Sequence, residues 1–242
     1  MNKTFKMLSA LLSYPTAELQ QAVPELRECL AREGIVTGQQ RRALHPLLDE
    51  LAHNDLYDLQ ERYVLLFDHT RSLSLHLFEH VHGESRDRGQ AMIDLKAQYE
   101  KAGLVPNADE LPDFVPLFLE YVATLPPVEA RETLAQPAHI FAALAERLRK
   151  RRTPYEAVFR ALVALSAAKP KDDEVSALLT EPDPDANDMA ARDAAWEDEE
   201  VRFGPTAGDG CKDGLIARIR GGLRPAPDMP AAARTTSVRA GS

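Results

Sequence analysis

The sequence predicts an all-α protein, and three observations carry that prediction. Apolar residues recur at helical spacing along most of the chain. No run alternates with period two for long. Apolar residues make up 44% of the 242, enough to build a core over most of the length.

The first helix is amphipathic, with Phe5, Leu8 and Leu12 on one face, and Tyr14-Pro15 breaks it. Lys3 and Lys6 ahead of a short apolar run have the look of a secretory signal. The run is interrupted, however, and no small-residue cleavage pattern precedes Pro15. A second helix begins near Thr16 and carries Leu19, Val23, Leu26 and Leu30. Pro24 is expected to kink or restart it, and Gly34 and Gly38 to close it. A third, about residues 39–53, sets Leu44, Leu47, Leu48 and Leu51 together. Asn54 or Asp55 caps a fourth, which runs through Leu59, Tyr63 and Leu66. Asp58 lies in its first turn, where negative charge suits the helix dipole.

After an interruption at His69, Thr70 and Arg71, a fifth helix is expected over residues 73–81 with Ser72 as its cap. Its apolar residues fall all round the wheel, which marks a buried helix. A polar turn, HGESRDRG, leads into a sixth with Met92, Leu95 and Tyr99, stopped by Gly103. A seventh, over 112–125, carries Phe114, Leu117, Phe118, Tyr121, Val122 and Leu125 before Pro126 and Pro127. Three more are expected near 128–135, 138–152 and 154–168, the last turning Tyr155, Val158, Phe159, Leu162 and Leu165 inward.

The expected division is a helical domain over 1–170 and an acidic linker over 171–187. A short acidic helical segment, DMAARDAAWEDEEVRF, occupies 188–203, and a largely disordered tail 204–242. Net charge is −9, unevenly placed. Residues 172–200 hold twelve acids against one basic residue, Arg192, and residues 201–242 seven basic against three acidic. The body is nearly neutral, so it carries no electrostatic footprint for nucleic acid. No apolar run approaches the length of a membrane span. Cys29 and Cys211 form no CxxC pair and read as lone thiols of a reducing compartment. A soluble, cytoplasmic protein is the expectation.

Chemistry concentrates between Tyr63 and Gly103, a stretch that holds His69, His76, His80 and His82. His76-Leu77-Phe78-Glu79-His80 matches the H-x-x-E-H pattern of inverted zinc proteases. On a helix the two histidines would share a face and Glu79 would orient a water. A third protein ligand is not identified, so a zinc-dependent hydrolase stands as the alternative reading. Carboxylates at Asp68, Glu79, Glu84, Asp87, Asp94, Asp113 and Glu120 are numerous, but spacing alone brings no two to one substrate. GxSxG, GxxxxGK[ST] and GxGxxG are absent, which removes the usual nucleophile and nucleotide cradles. Peptide binding is the third class: a helical domain can hold an amphipathic segment in an apolar groove rimmed by charge.

LFEHVHGESRDRGQAM (77–92), then DLKAQYEKAGL and ELPDFVPLFLEYV, resembles the family of cytoplasmic chaperones for respiratory nitrate reductase, the delta-subunit or NarJ family. LLSYP, YVLLFD and WEDEEVRF extend the likeness over most of the chain. The resemblance implies the helical fold of the TorD/DmsD-like maturation proteins and no catalysis. It implies binding of the apo catalytic alpha subunit through its N-terminal segment, and partnership with molybdenum cofactor biosynthesis proteins. It implies no stably bound cofactor or metal, only help in loading the molybdenum cofactor into the client, and no place in the finished complex. The wider group carries a Pro-x-Asp-His-like pattern at a helix start. Here Pro112-Asp113 is followed by Phe114 where histidine is usual, so that histidine's role does not transfer.

The expected client groove is walled by the fifth helix, the 82–90 turn and the 112–125 helix. Tyr63, Phe67, Phe118 and Tyr121 would cover the client's apolar face. Glu79, Glu84, Arg86 and Arg88 would set its register at the rim, with His80, His82 and Asp113 alongside. Trp196, Val201 and Phe203 would fold back over the groove or dock on the client.

Overall fold

A computed structural model describes residues 3–81, 86–105 and 110–183, the side chain of Arg86 excepted. Its helices are α1 (Lys3–Leu12), α2 (Ala17–Glu33), α3 (Gly38–His53), α4 (Leu56–Tyr63), α5 (Arg86–Lys101) and α6 (Val115–Thr124). α7 (Pro127–Ala135), α8 (Ala138–Lys150), α9 (Glu156–Leu165) and α10 (Asp172–Leu179) complete them. The fold class is all-α, as the periodicity predicts. Among the described residues extended pairing is limited to one bridge, between His76 and Phe114. No helix among them is long and apolar enough to cross a membrane.

α1 lies along α6 and also meets α2 and α9. Phe5, Met7, Leu8, Leu11 and Leu12 are all buried, so α1 is covered on more sides than its predicted stripe required. Ser9 satisfies itself inside by donating Oγ to the Pro116 carbonyl at 2.8 Å. Around this axis α8 pairs with α9, α3 packs on α2 and α9, and α7 joins α6 to α9.

α1 is capped from a distance. The Glu33 carboxylate, at the end of α2, accepts from the Lys3 and Thr4 amides at 2.9 and 2.6 Å and from the Thr4 hydroxyl at 2.7 Å. Negative charge belongs at a helix N-terminus. Burial pushes the Glu33 pKa up, but the bonds from Thr4 and Lys3 outweigh it and leave it below its ordinary value. Glu33→Ala should cost about 1 kcal/mol, read as a lower urea midpoint. A depressed carboxylate stabilises above its unfolded pKa. The difference from wild type should therefore fade as pH falls through the folded value.

Local signals place most boundaries. Thr16 caps α2 by accepting from the Leu19 amide at 3.2 Å, and Asp55 caps α4 by accepting from Tyr57 at 2.8 Å. Gly34 ends α2 at φ 65° and Gly103 comes after α5 at φ 78°, a left-handed backbone that suits glycine. Gly38, expected to help close α2, instead opens α3 behind a Thr37–Gln40 capping box. α2 also runs through Pro24 without restarting. Pro24 is exposed, so water can satisfy the carbonyl it leaves free, while Val23 and Leu30 stay buried.

The expected linker over 171–187 contains a helix. Asp172, Asp173 and Glu174 fill the first turn of α10, where acids favour the dipole. Leu178 is buried, with Val175 and Leu179 packed against the core alongside α8. His82, Glu84 and Ser85 lie outside the described residues, as do the 188–203 segment, the 204–242 tail and Cys211.

Candidate functional site

The expected fifth helix does not form, and its replacement organises the surface around it. α4 continues as a single π turn over Val64–Asp68, closed by the His69 amide on the Val64 carbonyl at 3.0 Å. The chain then makes a 3-10 turn at Arg71–Leu73, runs extended to His76, and makes a second 3-10 turn at Leu77–His80. This strap is held by residues far away in sequence. The Asp113 carboxylate accepts from the Phe78 amide at 3.0 Å, and its carbonyl accepts from the Leu77 amide at 3.1 Å. The Leu75 carbonyl accepts from Val115 at 2.8 Å. These bonds take groups that an α-helical ladder would have used, and the strap stays open.

Asp113 was expected in a helical first turn or at the client. It instead lies before α6, fully buried, with its carboxylate turned back to the strap. His76 Nδ1 lies 3.3 Å from its other oxygen. Burial pulls the His76 pKa down, but that hydrogen bond and the Asp113 charge outweigh it, and the value is raised. Phe114 meets the His76 ring at a centroid distance of 5.4 Å. Tyr99, on α5, donates its hydroxyl to the Pro112 carbonyl at 2.7 Å and so holds the turn before α6.

His80 is buried, and its Nε2 lies 2.8 Å from the Ser74 carbonyl, so it donates there. Burial lowers its pKa, favouring the neutral ring. His76 and His80 are therefore not on one helical face, and the zinc reading loses its geometric premise. Among the described residues no group of three or more His, Cys, Asp or Glu is placed to hold a metal ion.

Several expected groove residues are core residues. Tyr63 donates its hydroxyl to the Leu12 carbonyl at 2.8 Å and packs on Phe67 at 5.0 Å; Phe67 in turn packs on Tyr155 at 5.1 Å. Both Tyr63 and Phe67 are buried, and so is Phe118. Their size and aromaticity fit a groove wall and a core equally, and only packing separates the two. Tyr121 is half-buried against Tyr99 at 4.9 Å, and it shares one face of α6 with half-buried Leu117 and Phe114. Glu79 and Arg88 approach to 3.4 Å beside the strap, both partly exposed. The structure thus brings Glu79 and Arg88 together at the surface and places His80, Asp113 and Phe118 beneath.

Sequence reasoning passed over Arg147. It is 1% exposed, and its guanidinium donates to the Ser72 carbonyl at 2.7 Å and the Leu178 carbonyl at 2.6 Å. It ties the start of the strap to α10. Burial pulls its pKa down while nearby Asp183 and Glu181 push it back. The available signal was position: Arg147 sits among Ile140, Phe141, Leu144 and Leu148 on the apolar stripe of α8.

A family model described as "Nitrate reductase delta subunit" matches residues 15–161. The chain belongs to that family. It is 43% identical to the nitrate reductase molybdenum cofactor assembly chaperone NarJ of Escherichia coli strain K12, over 90% of this chain and 93% of that protein. A second protein of the same strain, the probable assembly chaperone NarW, is 39% identical over 82% of both chains. The probable NarJ of Bacillus subtilis is 32% identical over 66% of this chain and 86% of its own. The family match spans α2 through most of α9, and so includes the strap, Asp113 and Arg147.

Proposed function

We propose that this protein is a cytoplasmic chaperone for the catalytic alpha subunit of respiratory nitrate reductase. It binds the apo form, including its N-terminal segment, and keeps it competent to receive the molybdenum cofactor. It performs no catalysis and leaves before the complex is finished. The 43% identity to a molybdenum cofactor assembly chaperone across 90% of the chain carries this reading. Co-purification with apo-enzyme but not with cofactor-loaded enzyme tests it. Equal retention on both forms would overturn it.

The client segment docks, on this reading, along the half-buried Phe114, Leu117 and Tyr121 face of α6. Glu79 and Arg88 stand at its rim and discriminate charge. Tyr63, Phe67, His80, Asp113 and Phe118 support that surface from within, and His82, Glu84 and Arg86 belong to the adjoining turn. Tyr121→Ala should weaken binding of a labelled N-terminal client peptide about tenfold, equal to ~1.4 kcal/mol. Arg88→Glu should act chiefly on the association rate and its salt dependence. Unchanged binding in both variants, measured by fluorescence anisotropy, would place the site elsewhere.

A further inference from the structure

A groove of about 930 Å³ runs between α8, α9 and the connection to α10, on a different part of the molecule from the strap. Its floor is made of small residues, among them Ala142, Ala145, Ala164 and Ala168, with Val163. Arg149, Arg160 and Lys169 line it along with Glu146 and Asp172. Glu146 is turned to Arg149, accepting at 2.8 and 2.6 Å. Past Arg149 the chain becomes strongly basic. Residues 149–152 are Arg149, Lys150, Arg151 and Arg152, with no acid among them.

The chain leaves the described structure at this corner. α10 runs beside α8 in the same direction: Glu174 approaches His139 at 3.9 Å, the Leu178 carbonyl meets Arg147, and Asp183 meets Arg151 at 3.0 and 2.7 Å. Asp183 is therefore pinned at the C-terminal end of α8, on Arg151, two residues past the groove-lining Arg149. The sequence beyond Asp183 is acidic. Residues 188–200 hold six acids against Arg192, and among them lies Trp196, the one tryptophan of the chain. From Asp183 to residue 188 the chain spans at most ~18 Å. From Arg149 back to Ala142 α8 rises ~10 Å. That reach exceeds the groove's length along α8, so the tether is long enough to return the chain along it.

We propose that residues 188–200 of this same chain occupy the groove, their carboxylates against the basic corner and Trp196 on the alanine floor. The chaperone then carries an internal occupant on its α8–α9 face, held by complementary charge and by the Arg151–Asp183 anchor.

The full-length chain tests this through Trp196 and through zero-length cross-linking. Trp196 emission should be blue-shifted and shielded from acrylamide. A carbodiimide should join Lys150 or Lys169 to a carboxylate of 188–200 within the monomer, as read by mass spectrometry. High salt, or Arg149→Glu with Arg160→Glu, should move the emission to the red, raise quenching severalfold and abolish the cross-link. Ala164→Glu, at an exposed position of α9, should do the same with helicity unchanged. A tryptophan already quenched as freely in the wild-type chain as in these variants would overturn the proposal. Cross-links confined to a dimeric fraction would also overturn it, by assigning the groove to a second copy.

Discussion

Arg147→Ala should lower the unfolding free energy by about 3–5 kcal/mol, since each buried carbonyl left without its donor costs about 1–3 kcal/mol and the lost side chain adds a cavity. Two carbonyls, on Ser72 and Leu178, lose their donor together, and neither can reach water where Arg147 is 1% exposed. A cavity is left in the stripe between Leu144 and Leu148. Because the same side chain reaches both α10 and the strap, the effect should be regional as well as global. Amides of α10 and of residues 71–80 should exchange faster than those of α1 in the variant. Arg147→Met separates the contributions. It restores much of the volume without the donors, so it should recover the cavity loss and leave the exchange defect. Uniform acceleration across all helices would show that Arg147 contributes bulk alone.

Asp113→Ala should cost about 3 kcal/mol, since it strands the buried Phe78 amide and removes the partner of His76. Asp113→Asn keeps an acceptor for Phe78 and should cost less. The pH dependence identifies the His76 contact. His76 has a raised folded pKa, so the pair stabilises fully below the ordinary histidine value of 6.5 and fades as pH rises through the folded value. His80 acts in the opposite sense, because its depressed pKa removes stability as pH falls below 6.5. Wild-type stability alone therefore mixes the two, with Glu79 favouring the charged His76 and Arg88 opposing it. The difference between wild type and His76→Gln isolates the pair. It should be larger at about pH 5.5 than at about pH 8. Equal differences at both would mean that the His76–Asp113 contact carries no charge.

Surface position was partly legible in sequence. The charged turn and the α6 stripe pointed to Glu79, Arg88 and Tyr121, and these three are at or near the surface. Tyr63, Phe67 and Phe118 were misplaced because an aromatic on a helical stripe has the same sequence signature in a groove wall as in a core. The family was legible for a different reason: the run over residues 77–92 and its flanking segments form a pattern longer than any single site.

The sequence by itself determined the all-α class and the approximate extent of most helices up to residue 165, outside 64–81. Those depend on contacts within a few residues: apolar spacing, Thr16 and Asp55 as caps, Gly34 and Gly103 as stops. Only the tertiary structure decided that residues 73–81 form a strap, that Glu33 caps α1 from 29 residues away, and that Arg147 closes on Ser72 across 75. In the strap the local apolar pattern permits more than one backbone. Where chain closure brings a buried amide or carbonyl beside a distant charged side chain, satisfying that polar group outweighs the local preference for a helix.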